Sequence, residues 1–435
     1  MSEKIMKKSR VLMATLLGTV MIAALTLWGC GTSSYDDPNA SITTTKTASA
    51  LIDAATLKQW MDEGKVNSTD PSAKDRVVIV TVATAAQYNT QHIPGSLLLD
   101  SGTELNMTRL EGVAPISTMV IDGPSIDNLV KKLCINENTT IVFVASKGQN
   151  ALNPARAYFT FRYWGFPKER LKILNGGENG WETAATTGTW AASYALNATV
   201  PTVTPSTFSV RNLYAGSTTN FNMRTSIGEM ISVVDKVNAA TLTTGPTGVV
   251  SILDARGGAP TTYIANAGVD DFAQYAESAA GSTSTYKATS DLIARLGTFS
   301  VTSAKTMNYV YCASGVRASS VFFVLDGILG WPTTLYDGSW NQWSAYRAQT
   351  APAVSPGNAW LITNNSPTTV LPRTTIGAAV LAGTLTVDTT ANILYTNIAD
   401  PRANQILNED KAYFTSGGTT TAPSTGGGTG GGSGC

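Results

Sequence analysis

The stretch Met307-Asn-Tyr-Val-Tyr-Cys312-Ala-Ser-Gly-Val-Arg317 runs from an apolar segment through a Ser-Gly turn into Ala318-Ser-Ser-Val-Phe-Phe-Val-Leu325. The pattern predicts a buried strand, a tight loop and the first turns of a helix. Such a turn presents consecutive backbone N–H groups, and the helix N-terminus adds partial positive charge. A thiol held there is activated as a nucleophile. Arg317 closes the turn with a fixed positive charge.

Working outward, Val249-Val-Ser-Ile-Leu253 predicts a second strand running into Asp254-Ala-Arg256. Helices are expected at 227–237, 290–296 and 319–329, and a short strand at 334–336. Tyr336-Asp-Gly-Ser-Trp340 follows as a turn. The same order stands earlier in the chain, with helices at 55–63, 125–133 and 155–164. Strands are expected there at 77–82, 96–99, 140–144 and 171–174, since short apolar runs bounded by turn residues read as buried parallel strands. Arg162-Tyr-Trp-Gly165 matches Gly327-Ile-Leu-Gly330, and Asn175-Gly-Gly177…Trp181 matches Tyr336-Asp-Gly338…Trp340. The result is a tandem repeat of roughly 140 residues, too long for a solenoid.

The whole chain has 435 residues, enough for two or three domains. Hydrophobic residues make up 43% and charged residues only 14%, below the roughly 25% of soluble proteins. Lys plus Arg equals Asp plus Glu, and no basic stripe supports nucleic-acid binding. A single His, His92, disfavours His-based catalysis. The four Cys, at 30, 134, 312 and 435, share no metal-ligand spacing, so no metal or other cofactor is expected.

Together, the repeat, His92-Ile-Pro-Gly95, Asp254-Ala-Arg256, the Cys312 loop and Tyr336-Asp-Gly-Ser-Trp340 resemble the tandem-domain rhodaneses, the thiosulfate and 3-mercaptopyruvate sulfurtransferase family. The resemblance covers roughly residues 51–350. It implies an α/β fold of two rhodanese-like domains, each a parallel sheet flanked by helices. Domain 1 spans 51–190 and lacks the Cys, since its matching loop is Val144-Ala-Ser-Lys-Gly148. Residues 191–215 form a linker, 216–350 the catalytic domain 2, and 351–415 an extension packed on domain 2. The loop is similar to the mercaptopyruvate type in Cys-x-Ser-Gly-Val and to the single-domain type in its closing Arg317. Tyr275-Ala-Glu-Ser-Ala-Ala-Gly281 is expected where a second His-Ile-x-Gly turn would stand.

The residues themselves suggest roles. Cys312 is the nucleophile. Arg317 and the loop at Ser314, Gly315 and Val316 stabilise an anion, Arg256 binds an anionic donor, and Asp254 orients the loop or Arg256. Four residues separate Cys312 from Arg317, where the phosphatases and arsenate reductases of this fold use five. The expected activity is transfer of a sulfane sulfur from a small anionic donor to a thiol or cyanide through a persulfide on Cys312. The alternative is a non-catalytic surface lipoprotein that binds sulfur or selenium species or a partner complex. His92 and Cys134 read as structural, and Trp340 and Trp343 as packing residues.

Residues 1–30 resemble a bacterial lipoprotein signal: Lys4, Lys7, Lys8 and Arg10, an apolar run from Val11, and Leu27-Trp-Gly-Cys30. Lipidation is expected at Cys30, with 31–50 as a tether. Membrane attachment in a bacterial cell envelope follows, with an envelope protein as a candidate partner. Gly31 after the Cys points to the outer membrane. Residues 416–435 are a Gly-rich tail, expected to be disordered, with an r.m.s. reach of roughly 25 Å. It ends in Cys435, a candidate thiol arm for Cys312.

Overall fold

In a computed structural model, the structure describes residues 45, 49–69, 75–111, 114–214, 222–238, 240–277, 283–347, 361–363, 366–367 and 404–415. The signal segment, Cys30, most of the tether, most of the extension, the Gly-rich tail and Cys435 lie outside these residues. Among the described residues, no helix is long and apolar enough to cross a membrane.

The first lobe contains β1 (Leu51–Ile52), α1 (Ala54–Asp62), β2 (Val77–Ala83), α2 (Ala85–Thr90) and β3 (Leu97–Asp100). It continues with the hairpin β4 (Met107–Glu111) and β5 (Ala114–Met119), then α3 (Gly123–Lys132), β6 (Thr140–Ala145), α4 (Leu152–Tyr163), β7 (Leu171–Leu174), α5 (Gly177–Thr187) and α6 (Ala191–Tyr194). Every residue of β2 and β6 is buried, as a strand covered on both faces requires. The parallel sheet has the order β1-β7-β6-β2-β3. Asp53 starts α1 by accepting the Thr56 N–H at 2.8 Å, and Asp122 starts α3 in the same way from Ser125. Lys131 and Lys132 sit in the last turn of α3, where the helix dipole favours cations.

The second lobe contains β8 (Arg224–Thr225), α7 (Ile227–Asn238), β9 (Val250–Asp254), β10 (Thr262–Ile264), β11 (Gly268–Val269) and α8 (Thr289–Thr298). Then come β12 (Met307–Tyr311), α9 (Val316–Phe322), β13 (Thr333–Tyr336) and α10 (Ser339–Arg347). Its sheet runs β8-β13-β12-β9-β11, again parallel. Strand for strand this is the order of the first sheet, so the repeat in the sequence is a repeat in topology. The two-residue edge strands β1 and β8 escaped the sequence because they are too short to carry a period.

The lobes share one continuous apolar core. Helix α4 is buried on almost every face, which suits a helix trapped between two layers. Phe159 meets Phe322 edge-on at 5.2 Å, and Tyr158 meets Phe323 at 4.8 Å. Arg162 pairs with Asp326 across the same interface at 2.8 Å.

Four expectations change. The helix expected at 319–329 starts at Val316 and widens into a π-helix over Phe323–Leu329, ending at Gly330 with φ +67°. The counterpart of the His92 turn is not 275–281 but Tyr263-Ile-Ala-Asn-Ala267. Both turns close by the same hydrogen bond, Ser96 N–H to Ile93 and Ala267 N–H to Ile264. Both carry a left-handed residue at the third turn position, Gly95 at +81° and Asn266 at +64°. The counterpart of Trp181 is Trp343, since both are buried, whereas Trp340 is half-buried. Finally, the extension does not pack only on the second lobe. Strand β14 (Leu361–Thr363) pairs with β10 and with β15 (Ser366–Pro367), but α11 (Gln405–Thr415) docks on the first lobe. There Asp410 pairs with Arg109 at 2.7 Å and accepts from Tyr163, while Tyr413 donates to Asp127.

Candidate active site

Cys312 directly follows β12 at the carboxyl edge of the second sheet, where open parallel sheets place their ligand loops. The residue is fully buried. Its N–H donates to the Ser339 hydroxyl at 3.1 Å, and its carbonyl accepts the Trp340 N–H at 2.9 Å. The Ala313 carbonyl accepts from Asn341 at 2.9 Å. The turn after β13 therefore clamps the start of the loop. Ser339 holds a left-handed φ of +53°, matching Gly177 in the first lobe, and donates to the Tyr336 carbonyl at 2.8 Å.

The middle of the loop is open to an anion. Among the described residues, the N–H groups of Ala313, Ser314, Gly315, Val316 and Arg317 donate to no protein acceptor. Gly315 takes φ +84°, and a Cβ there would lie 2.6 Å from the Asp337 carbonyl and 2.9 Å from its Oδ1. Only glycine allows so close an approach.

Two guanidinium groups stand at this edge. Arg256 pairs with Asp254 at 2.7 Å, donates to the Thr262 carbonyl and stacks on Trp340 at 4.4 Å. Burial pushes the Asp254 carboxyl up, and Arg256 offsets only part of that. Arg317 donates to the Arg256 carbonyl and lies 5.5 Å over Phe272. Cys312, Arg256, Arg317 and Asp254 thus fall together at one sheet end. His92 and Cys134 do not join them. The His92 ring is buried in the first lobe, stacked on Tyr88 at 3.8 Å, with Nδ1 2.8 Å from the Tyr88 carbonyl. Cys134 is buried, and burial pushes its thiol up.

Behind the loop stands the first lobe. The Thr118 hydroxyl donates to the Ser314 carbonyl at 2.8 Å. Asp337 accepts from Arg156 at 2.6 Å, from the Val120 N–H at 2.8 Å and from Arg224 at 3.3 Å. Arg224 also pairs with Glu111 at 2.8 Å. Burial alone would raise the Asp337 carboxyl, but Arg156 and Arg224 together hold it below the ordinary range. Thr118, Arg156, Ser339 and Phe272 carried no role in the sequence reading. Only Ser339 had a signal there, inside Tyr336-Asp-Gly-Ser-Trp340.

The corresponding loop of the first lobe is built differently. The Lys147 N–H donates to Glu178 at 2.9 Å, Gly148 to Asn179 at 2.9 Å, Gln149 to Ser146 at 3.0 Å and Leu152 to Asn150 at 3.1 Å. Three consecutive N–H groups of this loop, those of Lys147, Gly148 and Gln149, are therefore occupied, and a carboxyl group sits beside them.

With this geometry in view, comparison with known proteins gives a consistent picture. Residues 53–184 match the rhodanese-like domain family. A Mycobacterium leprae (strain TN) protein with the provisional name thiosulfate sulfurtransferase SseA is 28% identical over 281 residues, 62% of this chain and 83% of its own length. The sulfur carrier protein TtuD of Thermus thermophilus is 26% identical over 259 residues, 59% of this chain and 83% of its own length. Among solved structures, YnjE superposes with a TM-score of 0.51 at 17% identity, covering 69% of this chain and 67% of that one. A persulfide form of an EanB variant with ergothioneine gives 0.51 at 15% identity, covering 69% and 70%. These two likenesses show the fold.

Proposed function

We propose that this chain, with a rhodanese-like domain in its first lobe and the same strand order in its second, is a sulfurtransferase working through Cys312. The observation that carries the reading is the loop of free N–H groups that begins at Cys312 and closes with Arg317. It suits a site that holds sulfur as an anion at each stage. The sulfurtransferase and sulfur-carrier names of the two relatives support the same chemistry.

The Cys312 thiolate attacks the outer sulfur of a donor such as thiosulfate. A new S–S bond forms, the donor S–S bond breaks, and sulfite leaves with the electron pair. Loop N–H groups stabilise the persulfide anion, each charge-assisted bond contributing about 1.5–3 kcal/mol. An acceptor thiolate or cyanide then attacks the outer sulfur and releases the Cys312 thiolate. Arg256 meets the donor's negative charge in this scheme, and Asp254 holds Arg256 in place. Because Cys312 is enclosed in this structure, loading requires a local opening of the loop's surroundings. Thiosulfate, 3-mercaptopyruvate and polysulfide are the donors to test. Turnover to thiocyanate with cyanide, lost in Cys312→Ser, is the expected result, and no turnover with any of the three would sink the reading.

The N-terminal sequence supports a location for this activity. Cys30 carries the lipid, and the chain is anchored in a bacterial envelope membrane. Growth with a tagged fatty acid should label the protein, and Cys30→Ala should abolish the label.

A further inference from the structure

We propose that Thr118, in the first lobe, is a positioning residue for the sulfur cradle of the second. The inference rests on the sulfurtransferase reading and adds a residue from the other half of the chain. The Thr118 hydroxyl donates to the Ser314 carbonyl at 2.8 Å, across 196 positions of sequence. A peptide unit is planar and trans, so its carbonyl and the following N–H point in opposite directions. Holding the Ser314 carbonyl toward the first lobe therefore turns the Gly315 N–H away from it, to the other side of the loop. That N–H has no protein acceptor among the described residues. Without the tether, Gly315, which is free of the restraint of a Cβ, lets this peptide rotate and the donor is lost to the cradle.

Thr118 is itself held. Arg156 is fully buried and donates to the Thr118 carbonyl at 2.8 Å, to Asp337 at 2.6 Å and to Asn106 at 2.8 Å. Asp337 in turn lies against Gly315. A closed circuit of contacts thus runs from Thr118 to Ser314 and Gly315, through Asp337, and back through Arg156. The first lobe has no Cys in its own loop, and through this circuit it fixes the orientation of the Ser314–Gly315 peptide in the Cys loop of its twin.

The test compares wild type, Thr118→Val and Thr118→Ser in the full chain. The rate of persulfide formation on Cys312 is followed by intact mass over a range of thiosulfate and polysulfide concentrations. Thr118→Val keeps the shape and removes the O–H. It should slow loading at saturating donor by roughly tenfold, the loss of one charge-assisted bond. The half-saturating donor concentration should stay unchanged, and any loss of stability should stay within that of one hydrogen bond, so that the variant remains folded throughout the assay. Thr118→Ser should restore the rate to within about twofold. Wild-type loading by Thr118→Val, or equal slowing in Thr118→Ser, would overturn the proposal and leave the sulfurtransferase reading standing. Failure of the wild type itself to load from any donor would overturn that reading, and this inference with it.

Discussion

The loop after β6 and the loop after β12 occupy the same place in two sheets of the same order, and they spend their backbone donors differently. In the first, Glu178, Asn179 and the Ser146 carbonyl take the N–H groups of Lys147, Gly148 and Gln149. In the second, the neutral Ser339 hydroxyl takes only the N–H of Cys312, and the next five have no acceptor among the described residues. A carboxylate beside a thiolate or persulfide would repel it, whereas a hydroxyl does not. One fold can therefore carry a closed structural loop and an open anion cradle, and the residue that caps the loop is part of the difference. Buried donors without partners are costly, so the open loop makes physical sense when an anion completes it.

The comparison can be broken first at Asp337, where both lobes meet. Asp337→Asn leaves the buried Arg156 without its carboxylate, while Arg224 keeps Glu111, and removing one partner of such a cluster costs about 3–5 kcal/mol. Urea unfolding should show that loss, with sulfur loading impaired under conditions where the variant remains folded. An unchanged unfolding midpoint would contradict the assigned role of the cluster.

A second test concerns the closed loop. Burial pushes Glu178 from 4.5 up to about 7, against the Lys147 N–H and the Thr81 hydroxyl, which act to lower it. The folded state then binds the proton more tightly than the unfolded chain, so stability falls as pH rises between 4.5 and about 7. Glu178→Gln removes this titration. Compared with its difference from wild type near pH 4, the variant should gain about 1–3 kcal/mol near pH 8. Parallel pH–stability curves for the two proteins would refute the assignment.

The smallest expected effect is at the clamp of the open loop. Ser339→Ala leaves the buried Cys312 N–H without its acceptor and should cost about 1–2 kcal/mol. Thermal unfolding would measure it, and an unaltered melting temperature would show that the clamp is dispensable.

Much of this molecule was legible in its sequence. The long strands 77–83, 140–145, 250–254 and 307–311 were readable because a buried parallel strand is a continuous apolar run. Cys312, Arg317, Asp254 and Arg256 stand at the ends of two such runs, and the pairing of β9 with β12 brings them together. Thr118 and Arg156 were invisible because their partners lie 196 and 181 positions away, beyond any local pattern. The turn 263–267 was missed because Tyr263 and Asn266 replace the His and Gly of the first copy. The backbone conformation survives there without the motif. Strand β14 and helix α11 follow no repeat, so their docking on opposite lobes had no template in the chain.

The claim that only the open loop takes sulfur is tested most directly by locating the added mass. Wild type and Cys312→Ser, the latter also carrying Ala145→Cys at the position equivalent to Cys312, are exposed to thiosulfate, 3-mercaptopyruvate and polysulfide, and then mapped by peptide mass spectrometry. The account predicts one additional sulfur on Cys312 in the wild type and none on the new thiol at position 145. A persulfide on that first-lobe thiol, or none on Cys312 with any donor, would contradict it.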